Sequence, residues 1–229
     1  MKYYKISSSI LKKEIGRYPQ SVNNTSLGNL GNLGFKNEII KDIILPKPEL
    51  HSKSRKTSYL SITSIDNLRF LVINEAFTEF LEKNTMANFQ TWNLEIIQST
   101  TILNNYKLMY LPKSIENEII DFSQSEFLIG KLGDWKDTSI RKSVEICNYK
   151  SYNELIGALR KRIDNSQIRC NKLTLNLSKI NVDFFRLSNN PLLFGYFVSE
   201  KLKEAIELKS FSGMQFTEIL EVDERINII

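Results

Sequence analysis

The feature that most restricts how this chain folds is an internal likeness between two distant segments. Val72-Ile73-Asn74-Glu75-Ala76-Phe77-Thr78-Glu79-Phe80-Leu81-Glu82 aligns with Phe197-Val198-Ser199-Glu200-Lys201-Leu202-Lys203-Glu204-Ala205-Ile206-Glu207. In each copy a short apolar run meets Asn or Ser, whose side-chain oxygen accepts a bond from an N–H of a first helical turn. A strand is expected to end there and a helix to begin. Phe77, Phe80 and Leu81 in one copy, and Leu202, Ala205 and Ile206 in the other, share i, i+3, i+4 spacing and form one apolar stripe each. A polar break follows, at 84–88 or 209–213, and then a strand-like run ending in Glu95-Ile96-Ile97 or Glu218-Ile219-Leu220. The expectation is one strand-helix-strand module used twice.

The fold class that follows is α+β, two similar strand-helix-strand lobes packed as one globule with mixed sheets. Helices are expected over 75–83, 151–163 and 200–208, the middle one from the apolar face of Tyr152, Leu155, Ile156, Leu159 and Ile163. Within a single domain of 1–229, the N-terminal lobe spans about 1–110 and the C-terminal lobe about 111–229. A first strand is expected near Lys2 to Ile6, and Leu173, Leu175 and Leu177 alternate with Thr174 and Asn176 as a half-buried strand. The Gly-, Asn- and Ser-rich stretch 21–34 is expected to be a mobile loop. A length of 229 residues, 41% hydrophobic and 25% charged, suffices for a sizeable core and excludes a fibrous or wholly disordered chain.

Few residues offer chemistry. His51 is the only histidine, and Cys147 and Cys170 have no companion cysteines, so neither a zinc knuckle nor a disulfide framework can be built. Gly28-Asn29-Leu30-Gly31-Asn32-Leu33-Gly34 lacks the following Lys-Ser/Thr of a phosphate cradle, so no cofactor and no metal are expected. Ser199 has no G-x-S-x-G setting, and Glu75 and Glu200 are explained by the attraction of a helix N-terminus for negative charge. The net charge of +5 is small, and Lys53-Ser54-Arg55-Lys56 and Arg160-Lys161-Arg162 are taken as solvated faces, so nucleic acid is not expected. No apolar run has the length of a signal-peptide core or a membrane span, which makes the cytoplasm the expected compartment.

The second copy, FVSEKLKEAIELKSFSGMQFTEIL, resembles the carboxy-terminal signature of a family of bacterial immunity proteins from polymorphic-toxin loci. The signature positions are Val198, Ser199, Glu200, Leu202, Lys203, Gly213 and Phe216. The start MKYYKI, the later Tyr18-Pro19-Gln20, the proline-bearing stretch Leu45 to Ser61, and YKLMYLPKSIENEIIDFSQSEF from Tyr106 to Phe127 also resemble that family in order along the chain. At 55–59 the family's Lys-Leu-Thr-Asp-like core is replaced by Arg-Lys-Thr-Ser-Tyr. The resemblance implies a protein that neutralises a cognate toxin domain encoded nearby, by occlusion and without catalysis. Two alternatives stand beside it: a hydrolase assembled from carboxylates such as Asp121, Glu126 and Asp134, and a nucleic-acid binder using the basic runs with Tyr149 and Tyr152. For the partner-binding site the expectation falls on Trp135 and Arg141, with Asp134 and Lys136 flanking the tryptophan, in a long loop from Ile129 to Tyr149.

Overall fold

The computed structural model describes residues 2–22, 27–33, 38–131, 144–161, 166–188 and 194–229. Strand β1 (Tyr3–Ser8) is followed by the helical turns α1 (Lys12–Ile15) and α2 (Leu30–Leu33), the short strand β2 (Glu49–Leu50) and the turn α3 (Thr63–Asp66). The first module is β3 (Leu71–Asn74), α4 (Glu75–Asn84) and β4 (Gln90–Gln98), from which β5 (Thr101–Tyr110) returns as a hairpin. Then come α5 (Glu116–Ile119), β6 (Glu126–Lys131), β7 (Glu145–Cys147), α6 (Tyr152–Arg160), β8 (Ser166–Leu175) and β9 (Phe184–Ser188). The second module is β10 (Phe194–Ser199), α7 (Glu200–Leu208) and β11 (Met214–Glu218), followed by α8 (Ile219–Val222) and β12 (Ile226–Ile228).

Both module helices begin where their caps predict. Asn74 Oδ1 accepts from the Phe77 N–H at 2.9 Å, and Ser199 Oγ accepts from the Leu202 N–H at 3.2 Å. The likeness extends to topology, because in each module the two strands are parted by an antiparallel third: β5 between β3 and β4, and β1 between β10 and β11. The middle strands arrive from opposite directions along the chain. β5 follows its module directly, whereas β1 pairs Ile6 with Tyr196 on one side and Phe216 on the other. Residues 3–8 therefore lie in the sheet of the second module, so a boundary near residue 110 parts β1 from the rest of its own sheet.

Period-two alternation gives the sheet β11-β1-β10-β9 two buried faces. Ile6, Phe184, Tyr196 and Val198 face a core that also takes Phe77 and Leu81 from α4 and Leu202 and Ile206 from α7. Phe211 packs there against Phe77 and Phe80, with ring centroids 4.9 and 5.1 Å away. Tyr3, Phe185, Leu187 and Phe197 point the other way, into a core covered by a third sheet, β12-β8-β6-β7, and by α6. The sheet β2-β4-β5-β3 buries Val72, Leu94 and Leu108 on its far side, beneath Leu30, Ile40 and Ile65. β12 runs parallel to β8 and β2 parallel to β4, while the other pairings are antiparallel, so the architecture is α+β with mixed sheets.

Local differences from the sequence expectation have identifiable causes. Stretch 21–34 contains a helical turn rather than loop alone, because Leu30 is fully buried. Thr174 is buried as well as its leucine neighbours: its N–H donates to Ser125 Oγ at 3.0 Å and its hydroxyl to the Gln124 carbonyl at 2.9 Å. β11 stops at Glu218, and Ile219 turns into the core while Leu220 remains exposed. The predicted Ile129–Tyr149 loop is strand at both ends, in β6 and β7, and Tyr149 packs edge-on to Phe127 at 5.3 Å. Arg186 on β9 is completely buried, with its guanidinium 4.7 Å from the Tyr110 ring and Nη2 donating to the Pro112 carbonyl at 3.0 Å.

Candidate partner-binding surface

A buried glutamine organises a surface that carries a cluster of cations. Gln20 is fully buried, and its Oε1 accepts from the Ser61 N–H at 2.8 Å while Nε2 donates to the Arg55 carbonyl at 2.7 Å. Its own carbonyl accepts from Ser54 Oγ at 2.8 Å and from the His51 N–H at 2.9 Å. Gln98 on β4 reaches the same segment from the other side, donating to the carbonyls of His51 and Ser54 at 3.1 and 2.7 Å. Buried polar groups that are mutually satisfied fix a segment firmly, because releasing any one of them strands its partner away from water. Residues 51–57 are thus pinned to the body of the protein.

The same segment is joined to the turn after β1. The Arg55 N–H donates to the Ile15 carbonyl at 2.8 Å, and Gly16, at φ +80°, lies so close to Lys53 that a Cβ would sit 2.2 Å from its carbonyl oxygen. Two cationic runs far apart in sequence become neighbours. Lys12, Lys13, Arg17, Lys53, Arg55 and Lys56 are all exposed. The acid within these runs, Glu14, turns toward the protein, where its Oε1 accepts from the Gly213 N–H at 2.6 Å. Those six cations and Glu14 sum to +5, and the whole chain carries +5, so the remainder is balanced. Ile10 (55% exposed), Leu11 (51%) and Tyr18 (45%) add apolar area beside the charges.

Trp135, Arg141, Asp134 and Lys136 lie outside the described residues. Asp121 builds a turn: Oδ1 accepts from the Ser123 hydroxyl at 2.6 Å and from the N–H groups of Ser123 and Gln124 at 3.0 and 3.2 Å. The Ser123 hydroxyl, with those backbone donors, holds its pKa below the usual carboxylate value, which suits a turn and not a proton donor near neutral pH. Glu126 accepts from Asn171, Glu75 stands 3.8 Å from the Lys107 ammonium, and Glu200 accepts from the Tyr4 hydroxyl at 3.3 Å. Tyr149 and Tyr152 are buried, so neither is placed to stack on a nucleobase. Burial pushes the Cys170 thiol up to about 12 and raises that of Cys147, away from thiolate chemistry.

Among the described residues, Asp66 is the carboxyl with the largest departure. The residue keeps some exposed surface, yet its carboxyl group sits deep beside β1, and desolvation raises its pKa to about 8 against the bonds it accepts from Tyr59 (3.2 Å) and Ser8 (3.5 Å). A depression of about 240 Å³ lies between Met86 and Val182, with Leu111 and Phe184 at its floor. Its rim charges Lys113 and Glu118 pair at 2.7 Å and offset each other. Among the described residues no group of three or more His, Cys, Asp or Glu is placed to hold a metal ion, and no helix is long and apolar enough to cross a membrane. No protein-family model matches the chain, and no curated protein matches it in sequence. Lys53, Arg55 and Lys56 are exposed, as expected of a solvated face; what the order of residues does not reveal is that Lys12, Lys13 and Arg17 lie beside them. The available sign was Tyr18-Pro19-Gln20, whose glutamine makes the junction.

Proposed function

We propose that the protein is an immunity protein, which binds a cognate toxin domain encoded nearby and neutralises it by occlusion. One observation carries the proposal: the segments that resemble the immunity family, scattered along the chain, close on one another as a single unit. The MKYYKI strand lies between the two strands of the Val198–Phe216 signature. Gly213 of that signature, at φ +86°, fits beneath Tyr59 and Thr57 of the proline-bearing stretch, and the Tyr59 N–H donates to the Ser212 carbonyl at 3.0 Å. Tyr106 of the central segment donates to the Thr57 carbonyl at 2.9 Å, and Ser125 donates to the Asp121 carbonyl at 2.7 Å. Residues with no chemistry of their own, but needed together to close one fold, are what a family signature of caps, turns and core positions consists of. The basic surface is mounted on this unit and supplies a rigid, exposed docking face.

The experiment is co-production and titration. The product of the adjacent gene is expected to arrest growth when made alone and to be harmless when this chain is made with it. The two purified proteins are expected to form a complex in which inhibition is complete at about one equivalent. Protection by a small fraction of an equivalent would mean turnover and would replace occlusion with an enzymatic reading.

A further inference from the structure

Six exposed cations from two distant parts of the chain meet on one pinned surface, and that cluster bears on the kind of partner it suits. Three classes of surface attract clustered cations: a nucleic acid, an anionic membrane and an acidic protein. A phosphate backbone takes charge alone, and nucleic-acid interfaces are polar and strongly cationic. Here Ile10 and Leu11 adjoin Lys12 and Lys13, and Tyr18 adjoins Arg17, all exposed. Exposed aliphatic area beside Tyr18 and the charges suits a protein face better than a phosphate backbone, because the apolar part can be buried while the charges orient the encounter. The floor is already ordered by Gln20, Ser54 and Gln98, so docking requires little additional ordering of the 51–57 segment.

We infer that the surface of Lys12, Lys13, Arg17, Lys53, Arg55 and Lys56 docks an acidic, partly apolar face of the toxin domain, and that the face it covers is therefore not one that holds a nucleic acid. This rests on the neutralisation reading above. A site that holds RNA or DNA must itself be positive. Covering it directly with a basic surface would set like charges against each other, which opposes association and complex formation alike. The toxin whose site this surface covers acts on something other than a polyanion.

The test uses the intact chain and the adjacent gene's product, with association measured at low and at near-physiological salt. Lys13→Glu with Lys53→Glu is expected to slow association at least tenfold at low salt and to flatten its salt dependence, leaving the thermal unfolding midpoint in place. Ile10→Ser is expected to speed dissociation several-fold with little change in association. Lys150→Glu with Lys161→Glu, which removes the same charge from exposed positions outside this surface, is expected to change association less than twofold. Binding by the wild-type chain that survives the first double variant would overturn the inference and leave neutralisation standing. A short DNA duplex bound by the wild type and released by that variant, with no effect of Ile10→Ser, would assign the surface to nucleic acid instead, and binding of anionic phosphatidylserine vesicles lost in both variants would assign it to a membrane. If the wild-type chain does not bind the adjacent product at all, the neutralisation reading fails and this inference with it.

Discussion

Ser199 holds two elements at once, since its hydroxyl accepts from the Leu202 N–H and donates to Asp183 Oδ1 at 2.6 Å. Ser199→Ala is expected to lower stability by about 1–2 kcal/mol, the upper end reflecting the carboxylate left without its donor. Leu202→Ala, which empties a position shared by both modules, is expected to cost about 2–5 kcal/mol; chemical denaturation measures both. Asp66 gives a pH dependence of known sign. Its folded pKa of about 8 exceeds the ordinary value of 3.8, so the folded state holds the proton across that window and stability falls as pH rises from about 4 to about 8. Asp66→Asn removes the titration. Its denaturation midpoint, close to that of the wild type at acid pH, is expected to exceed it above pH 8, and a constant difference at all pH values would show that the carboxyl does not titrate there.

At the scale of elements, a glycine in a connection and a glycine inside a helix respond differently to the same substitution. Gly213 precedes β11 at φ +86°, and a Cβ there would lie 2.1 Å from the Tyr59 carbonyl oxygen and 2.5 Å from the Thr57 side chain. Gly213→Ala is expected to displace the start of β11 and cost about 3 kcal/mol or more. Gly157 within α6 has nothing within 4 Å of a Cβ, so Gly157→Ala is expected to stabilise by about 0.5–1 kcal/mol through helix propensity alone. Thermal denaturation of the pair gives the comparison. Both modules were legible in the sequence because caps and i, i+3, i+4 stripes are local patterns: Asn74, Ser151 and Ser199 each accept from an N–H three residues ahead. Of the third sheet the alternation of Leu173 and Leu175 made the end of β8 legible, but not its burial on both faces, since Thr174 is polar and buried only because Ser125 and Gln124 meet it across the fold. The basic surface escaped for the same reason, being made by the Arg55–Ile15 bond and by Gln20.

For the whole molecule, the decisive strand is β1, whose neighbours on both sides are β10 and β11 and whose two faces serve two cores. Deleting residues 2–9 is expected to abolish the cooperative thermal transition rather than lower its midpoint, and a synthetic peptide spanning 2–11 is expected to restore it in trans. Calorimetry with and without the peptide decides. The same arrangement sets a clock on biosynthesis. Tyr3 to Ile6 leave the ribosome long before their partners, which lie roughly 190 residues later. At about 5–20 residues per second the strand waits on the order of ten to forty seconds before its sheet can close. A nascent chain cut short before Phe216 has made the first module and most of the third sheet, but it lacks the bracket that fixes Gly213 against Glu14 and Tyr59. Closure of this sheet thus belongs to the finished molecule alone, because a chain released before β11 leaves β1 with one edge unpaired.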